Sequence, residues 1–279
     1  MEQAVSNIQD VLSWAGSKHL PAFVGPQGSG KIGTTAFLLG VCGGFHAALV
    51  VVCCGALMLT VSGSSGGSAL GRLVLLVLHW SLYVTLLCLF HFAEFFTTAV
   101  CQPSSLSYDS FVVNHSNHYT MAALASWVEF WFESYLFGAA KHRASAMLVG
   151  LALVLGGQTV RTLAMWTCGE NFSHQIMEQK KDDHRLVTTG IYSLLRHPSY
   201  FGWFYWSVGT QVLLCNPLCV VVYTMASWHF FNSRIPYEEA SLVRFYGQVY
   251  RDYARTSYVG IPFVATAITA EGAGCDRRQ

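Results

Sequence analysis

Charged side chains are scarce in this chain. Asp, Glu, Lys and Arg make up 11% of its 279 residues, against about 25% in an ordinary soluble domain. The formal net charge is only +1, and the Lys and Arg residues are spread thinly rather than grouped in blocks. Without a basic field, the chain lacks the electrostatic attraction on which nucleic-acid binding depends. The composition therefore argues against an ordinary soluble domain and excludes nucleic acid as a partner.

Two further patterns are missing. The nine cysteines show no spacing typical of a zinc site, so we expect no metal and no disulfide framework. Six of them lie inside apolar runs, where a thiol usually packs as a small apolar side chain: Cys42, Cys53, Cys54, Cys88, Cys215 and Cys219. The first 31 residues have neither a basic n-region nor a long apolar stretch, so they do not predict a cleaved signal peptide.

Apolar residues are abundant instead. They form 53% of the chain, and the mean hydropathy is +0.39. A membrane-crossing helix needs about 20 mostly apolar residues. Six runs fit or approach that length: Gly33–Val61, Leu73–Val100, Tyr119–Phe137, Ala144–Thr167, Phe201–Leu214 and Leu218–Phe231. A weaker segment, Val11–Val24, is either an interfacial helix or a poor span. We therefore predict an all-α, polytopic membrane protein with six to eight transmembrane helices.

The last two runs form a predicted helical hairpin that turns at Asn216-Pro217. Long polar segments flank it, and these carry most of the Lys and Arg residues, so the positive-inside rule places both ends of the hairpin in the cytosol. Counting the predicted spans backward from the hairpin puts Lys141–Arg143 on the non-cytosolic side of the membrane. This placement goes against the positive-inside rule. We divide the chain into N-terminal membrane helices, residues 1–100, and a catalytic membrane region, residues 101–279. Its functional segments are residues 168–200 and 232–263.

Four charged residues fall inside or near the end of apolar runs, where an ionised group is costly and must face a partner or water. They are Glu94, Glu129, Glu133 and Arg161. Glu129 and Glu133 lie four residues apart and share a helix face, which favours interhelical hydrogen bonding. Small residues in the fourth run allow helix backbones to approach closely: Gly150, Gly156 and Gly157.

The polar segments hold the residues best suited to chemistry. Pro198 favours the first turn of a helix, which places His197 and Ser199 at a helix N-terminus. Unpaired backbone N–H groups there accept a carboxylate or a hydroxyl-rich ligand. In the second segment, Arg234 follows an apolar run and Pro236 is expected near the start of a separate helix. Glu238 or Glu239 on that helix can point back at the first segment.

These strings resemble one known family, the isoprenylcysteine carboxyl methyltransferases. Arg196–Trp203 is similar to its signature RHPxYxGW, and Leu186–Tyr192 and Arg234–Glu239 match its remaining cofactor and substrate segments. With His91–Glu94 and Leu106–Phe111, the resemblance runs from about Leu89 to Phe263. The HPxYxG core also occurs in membrane sterol reductases and other small membrane methyltransferases, so it is the complete set that is specific.

The resemblance implies a multi-pass enzyme of the endoplasmic reticulum membrane with its active site facing the cytosol. Its expected cofactor is S-adenosyl-L-methionine. Its expected substrate is the carboxylate of a farnesylated or geranylgeranylated C-terminal cysteine, on CaaX-processed proteins such as small GTPases. It implies that Arg234 contacts the substrate and that the following residues line the cofactor pocket: His184, Arg185, Leu186, Val187, Tyr192, His197, Pro198, Ser199, Tyr200 and Glu238.

In such a reaction, the main task of the enzyme is to position the reacting atoms. A prenylcysteine carboxylate is already ionised at neutral pH and needs no general base to attack a sulfonium methyl group. Alignment of the reacting atoms can lower a barrier by several kcal/mol, up to about 7–11 in the best cases. The planar fork of an Arg can hold one carboxylate oxygen while the other attacks. Our catalytic candidates are Arg234 for this role, Arg161 as a second choice, and Glu238 for a cofactor hydroxyl or amine.

Two alternative functions belong to other classes. A sterol reductase using NADPH needs a basic cluster for the 2′-phosphate, which the sequence does not show. A non-enzymatic membrane scaffold does not explain why Arg, His, Tyr and Glu gather on one side of a short hairpin. A measurement of S-adenosylmethionine binding to the purified protein distinguishes the methyltransferase from the reductase and from the scaffold.

Overall fold

The computed structural model describes residues 28–61, 69–113, 116–138, 141–180 and 184–267. The weakly apolar segment Val11–Val24 lies outside these residues. In the described part, the chain forms seven α-helices: α1 (Ser29–Val61), α2 (Ala69–Cys101), α3 (Asn117–Phe137), α4 (Ala144–Cys168), α5 (Pro198–Leu213), α6 (Pro217–Tyr246) and α7 (Gln248–Thr256). Short 3-10 helices occur in the loops, and Leu195 and Tyr258 form an isolated parallel β-bridge. The predicted all-helical class is confirmed.

Five of the six apolar runs fall within one helix each, and the run Phe201–Leu214 extends one residue beyond the end of α5 at Leu213. Within the described residues, three helical stretches are long and apolar enough to cross a membrane: Ser29–Leu59, Ala69–Cys101 and Ala144–Asn171. The remaining runs coincide with α3, α5 and the first half of α6. The protein is thus a helical membrane protein, and the total of six to eight spans stays a prediction.

The loops gather at two ends of the helical bundle. At one end, Gln102 Nε2 donates to the carbonyl of Gly169 over 2.9 Å, which joins the C-terminus of α2 to that of α4. At the other end, Lys141 Nζ donates to Asn216 Oδ1 over 2.9 Å, which joins the α3–α4 loop to the α5–α6 turn. We call these the site end and the far end. Lys141 thus lies at the end of the bundle opposite the site end, and its side of the membrane stays a prediction.

Helices α4 and α5 make the most extensive contact in the bundle, and glycines allow it. A Cβ atom on Gly157 would lie 2.6 Å from the carbonyl oxygen of Gly202, and one on Gly202 would lie 2.5 Å from that of Gly157. Gly209 is equally confined, since its Cβ would lie 2.7 Å from Leu153 Cβ. Because no side chain fits at these positions, the two backbones touch directly. The first turn of α5 is thereby held against α4.

The far end contains the two carboxylates that share a face of α3. Both oxygens of Glu129 accept hydrogen bonds, each of 2.7 Å, from the backbone N–H groups of Leu218 and Cys219. They satisfy donors that the start of α6 cannot pair within the helix. Glu133 forms an ion pair of 2.7 Å with Lys141. The expected interhelical hydrogen bonding is confirmed for Glu129, whereas Glu133 binds a residue of the loop that follows its own helix.

One expectation about local structure was wrong. Pro236 does not begin a separate helix but lies inside α6, which is continuous from Pro217 to Tyr246. A proline in a helix interior removes one hydrogen bond. Apolar packing opposes this loss, because Phe231 and Ile235 are fully buried against Phe204 and the C-terminal segment. The hairpin helix therefore carries Arg234, Glu238 and Glu239 directly to the site end.

The glycine contact gives a prediction with a matched control one residue away. Gly157→Ala should lower the thermal unfolding midpoint of the detergent-solubilised protein, because its Cβ would press on the backbone of α5. We expect a loss of about 1–3 kcal/mol in the free energy of unfolding. Gly156→Ala has open space at the same atom and should be neutral or slightly stabilising. Equal midpoints for the two variants would contradict the direct backbone contact.

Candidate cofactor and substrate site

A cavity opens at the site end of the bundle. The empty space inside it, which includes space open to solvent, is about 680 Å³. The C-terminal end of α4 and the residues after it form one wall. The loop before α5, the first turn of α5, the second half of α6 and α7 form the others.

All ten residues predicted to bind the cofactor line this cavity. They come from four separate stretches of sequence, which the fold brings together around one cavity. Their individual roles stay predictions. Nine further residues that we had not assigned to the pocket also line it: Cys168, Asn171, Phe172, Ser173, Arg196, Leu242, Tyr246, Tyr250 and Tyr253.

The last two of these tyrosines belong to α7, which the hydropathy pattern does not reveal. Gly247 ends α6 with a φ of 57° and turns the chain, so α7 folds back over the cavity. Tyr250 and Tyr253 are three residues apart and share a face of this helix. That spacing was the signal available in the sequence, but it predicts a ligand-facing surface only once the turn at Gly247 is known.

Glu239 organises the wall formed by the loop before α5. Its Oε1 accepts a hydrogen bond of 2.7 Å from Arg196 Nε and lies 3.4 Å from His197 Nε2. Its Oε2 accepts one of 2.9 Å from the backbone N–H of Ala267. Burial by itself raises the pKa of Glu239, but hydrogen bonds and electrostatic interactions with His197 and Arg196 outweigh it, so the pKa lies below its ordinary value. This buried carboxylate therefore joins the loop to α6 in its ionised form.

Glu238 faces the cavity instead. Its Oε2 is buried and has no hydrogen-bond partner among the described residues, and it lies 3.8 Å from His197 Nδ1. The hydroxyl of Tyr250, also in the cavity wall, is likewise buried and unpartnered within the described part of the chain. Burial raises the pKa of Tyr250 and of Tyr192, which keeps both hydroxyls protonated. Unpaired buried polar atoms are rare in proteins, and these are placed to meet a polar ligand.

Arg234 lies beside the cavity rather than in its wall. Its Nε donates to the hydroxyl of Tyr200 over 2.8 Å, and its Nη2 donates to the carbonyl of His174 over 2.6 Å. Within the described residues, Nη1 has no hydrogen-bond partner. Because Tyr200 lines the cavity, the half-buried guanidinium is one side chain away from it and keeps donors for another group.

Arg161 lies behind the wall and is not exposed to the cavity. Its Nε and Nη2 donate to the two oxygens of Glu94 over 2.7 and 2.6 Å. Its Nη1 donates to Ser199 Oγ over 2.9 Å. All three nitrogens are thus engaged, and Arg161 reaches the cavity only through Ser199. Its predicted role as an alternative carboxylate holder stays untested, but in this geometry it would first have to release a partner.

Comparisons with known proteins agree with this architecture. Residues 148–244 match the isoprenylcysteine carboxyl methyltransferase (ICMT) family. The chain is 52% identical over 182 residues to a protein-S-isoprenylcysteine O-methyltransferase of Xenopus laevis, covering 65% of this chain and 63% of that protein. It is 41% identical over 192 residues to the Saccharomyces cerevisiae protein of the same name, covering 67% and 80%.

A solved structure of a eukaryotic intramembrane Ras methyltransferase, ICMT, superposes with a TM-score of 0.75 at 37% identity. The match covers 93% of this chain and 86% of that one. The fold thus defines an α-helical membrane protein with a cavity at one end of its helical bundle. The chain belongs to the isoprenylcysteine carboxyl methyltransferase family. Its matched region spans just under two thirds of the relatives from Xenopus laevis and Homo sapiens, at 63% and 66% of their lengths.

The role of Glu239 can be tested by substitution and by pH. Glu239→Gln should lower the free energy of unfolding by about 3–5 kcal/mol at neutral pH, because it leaves Arg196 buried without its counter-charge. Since the folded-state pKa of Glu239 is lowered, its contribution is complete above its ordinary pKa of 4.5 and is lost as pH falls through the folded value. The difference in thermal unfolding midpoint between the wild-type protein and Glu239→Gln should therefore shrink as the pH is lowered below 4.5.

The control for this substitution is Asp252→Asn. Asp252 pairs with Arg255 over 3.2 Å, but both side chains are more than half exposed, and such pairs contribute little. This variant should unfold close to wild type at every pH. A loss for Glu239→Gln no larger than that of Asp252→Asn would contradict the role of Glu239.

Proposed function

We propose that this protein transfers a methyl group from S-adenosyl-L-methionine to the α-carboxylate of a C-terminal prenylcysteine, giving a methyl ester. The substrate class is farnesylated or geranylgeranylated CaaX-processed proteins, such as small GTPases. One observation carries the proposal: ten predicted cofactor residues surround one cavity, with Arg234 beside it, in a chain of this family. The relatives' printed name describes the same activity for those proteins.

The cavity fits a cofactor that combines an aromatic base, hydroxyls, an ammonium group and a carboxylate. Tyrosine rings and Phe172 provide apolar faces. The unpaired carboxylate oxygen of Glu238 suits a hydroxyl or ammonium group, and the Tyr250 hydroxyl supplies a donor. The first turn of α5, which has no side-chain cap, presents a helix N-terminus to an anionic group. S-adenosylmethionine, when bound, supplies an electrophilic methyl group.

Arg234 would hold the attacking carboxylate. The hydrogen bonds to Tyr200 and His174 fix the plane of its guanidinium, while Nη1 and the second N–H of Nη2 stay available for the substrate. Charge-assisted bonds of this kind are short and directional. Since the carboxylate is already ionised, the protein contributes alignment and exclusion of water rather than a general base.

The membrane setting suits the lipid part of the substrate. Each CH₂ group buried in the bilayer contributes about 0.8 kcal/mol, so a prenyl chain stays in the membrane while its cysteine is modified. The hairpin α5–α6 extends from the far end to the cavity, which allows a lipid chain alongside it and a carboxylate at Arg234. We further propose that the site end faces the cytosol at the endoplasmic reticulum membrane, in line with the basic residues of the flanking segments.

The direct test is transfer of labelled methyl from S-adenosylmethionine to N-acetyl-S-farnesylcysteine, or to its geranylgeranyl counterpart, by the purified protein in detergent or nanodiscs. We expect a base-labile methyl ester, and none with N-acetylcysteine, which lacks the prenyl chain. Calorimetry with S-adenosylmethionine is run in parallel. Cofactor binding without ester formation on either prenylcysteine would contradict the proposed substrate.

Arg234→Lys tests the hold on the carboxylate. It keeps the positive charge but loses the planar fork, so turnover over the prenylcysteine KM should fall by roughly tenfold or more when one charge-assisted hydrogen bond of about 1.5–3 kcal/mol is lost. Cofactor affinity should change little. The matched control is Arg244→Lys on the same helix, since Arg244 also donates to a backbone carbonyl of the loop before α5, that of Glu178. Similar kinetics for the two variants would place the carboxylate elsewhere.

A further inference from the structure

A buried charged pair stands behind the cofactor cavity without touching it. Glu94 on α2 is 1% exposed and Arg161 on α4 is 6% exposed. Two nitrogens of Arg161, Nε and Nη2, donate to the two oxygens of Glu94. The remaining edge of the guanidinium, at Nη1, is directed at α5. Burying two charges is expensive, and a well-packed apolar pair of the same size is often as stable. The geometry of the third nitrogen suggests what the pair is used for.

That nitrogen, Nη1, donates to Ser199 Oγ over 2.9 Å and lies 3.4 Å from the carbonyl oxygen of the same residue. A hydroxyl has one proton and two lone pairs. Because Arg161 occupies a lone pair, the proton of Ser199 points elsewhere, and it meets no acceptor among the described residues. Ser199 is only 7% exposed, and it lines the cavity. Its proton is therefore available to a group bound there.

The charge of the surroundings selects the kind of group. Ser199 lies in the first turn of α5, where the helix dipole is positive. The guanidinium of Arg161 lies directly behind Ser199, and Glu94 holds it in place and offsets its charge, so the helix N-terminus supplies the bias. A hydroxyl donor in such a position favours an anionic acceptor. The carboxylate of Glu238, which suits a hydroxyl or ammonium group, comes from α6 rather than from α5.

We infer that Glu94 and Arg161 are a positioning pair that orients the Ser199 hydroxyl as a donor to the carboxylate at the amino-acid end of the bound cofactor. This inference rests on the proposed function. It gives Arg161 a role through Ser199 and leaves the substrate carboxylate to Arg234. It also explains why the contact between α4 and α5 must be so close at Gly202, since a Cβ atom there would lie 2.8 Å from the backbone N and the Cβ of Arg161.

The probe is S-adenosylhomocysteine, which has the same amino-acid end and cannot react. Its Kd is measured by calorimetry on the purified full-length protein. Ser199→Ala should raise the Kd by about tenfold, the loss of one hydrogen bond to a charged group. The double variant Glu94→Gln/Arg161→Gln removes both charges together, so that no buried charge is left unpaired. It should raise the Kd by a similar factor.

Combining the substitution at Ser199 with those at Glu94 and Arg161 tests whether their effects on the Kd are coupled. Coupled effects indicate positioning of Ser199 rather than a general loss of structure. When Ser199→Ala is combined with the double variant, the Kd should rise no further than in Ser199→Ala alone, because both changes remove the same hydrogen bond. In kinetics, the cofactor KM should rise while the prenylcysteine KM stays near wild type. The control variant Glu133→Gln/Lys141→Met removes the buried ion pair at the far end and should leave the Kd unchanged.

Three results would overturn the inference. They are an unchanged Kd for Ser199→Ala, an unchanged Kd for a folded Glu94→Gln/Arg161→Gln protein, or effects that multiply in the combined variant. Ser199→Ala alters neither charge, so the test stands even when the charge-pair variant does not fold. Absence of S-adenosylhomocysteine binding by the wild-type protein would instead overturn the proposed function, which keeps the two failures distinct.

Discussion

The direct backbone contact between α4 and α5 is the constraint on which the site depends. At Gly157 and Gly202 the helices approach so closely that neither tolerates a Cβ atom. In lipid, the hydrophobic effect does not drive helices to associate. Close packing and polar contacts must therefore supply the attraction between them. This contact fixes the position of α5 along the axis of α4. It thereby also fixes the position of His197, Ser199 and Tyr200 in the cavity wall. A shift of α5 along α4 would break the hydrogen bond from Arg161 to Ser199.

The buried charged groups at the two ends of the bundle follow one rule: each meets an oppositely charged or hydrogen-bonding partner within the protein. At the far end, Glu129 caps α6, and Lys141 pairs with Glu133 while donating to Asn216. At the site end, Glu239 binds Arg196. Removing one partner of such a pair is costly, although the pair itself adds little net stability. The pairs therefore specify which helices meet more than they strengthen the fold. Glu238 departs from this rule, and its unpaired oxygen faces the ligand cavity.

Much of the architecture could be predicted from the sequence because its signals are local. The apolar runs mark the helices, and the cavity residues occur in contiguous strings such as His184–Val187 and His197–Tyr200. Two things could not be predicted. Glu94 and Arg161 are 67 residues apart, and their partnership depends on the register of α2 against α4. The tyrosines of α7 belong to a short polar helix whose position follows from the turn at Gly247.

The misplacement of Pro236 shows a related limit. A proline close to polar residues usually predicts a helix start, but α6 continues through Pro236, and Phe231 and Ile235 of this helix are buried against the C-terminal segment. The missing N–H at Pro236 has a mechanical consequence. A helix bends most easily where its hydrogen-bond ladder is interrupted. Arg234 and Glu238 stand two residues before and two residues after that point. Under the proposed function, the residues of α6 that contact substrate and cofactor therefore lie on opposite sides of a position where the helix bends most easily.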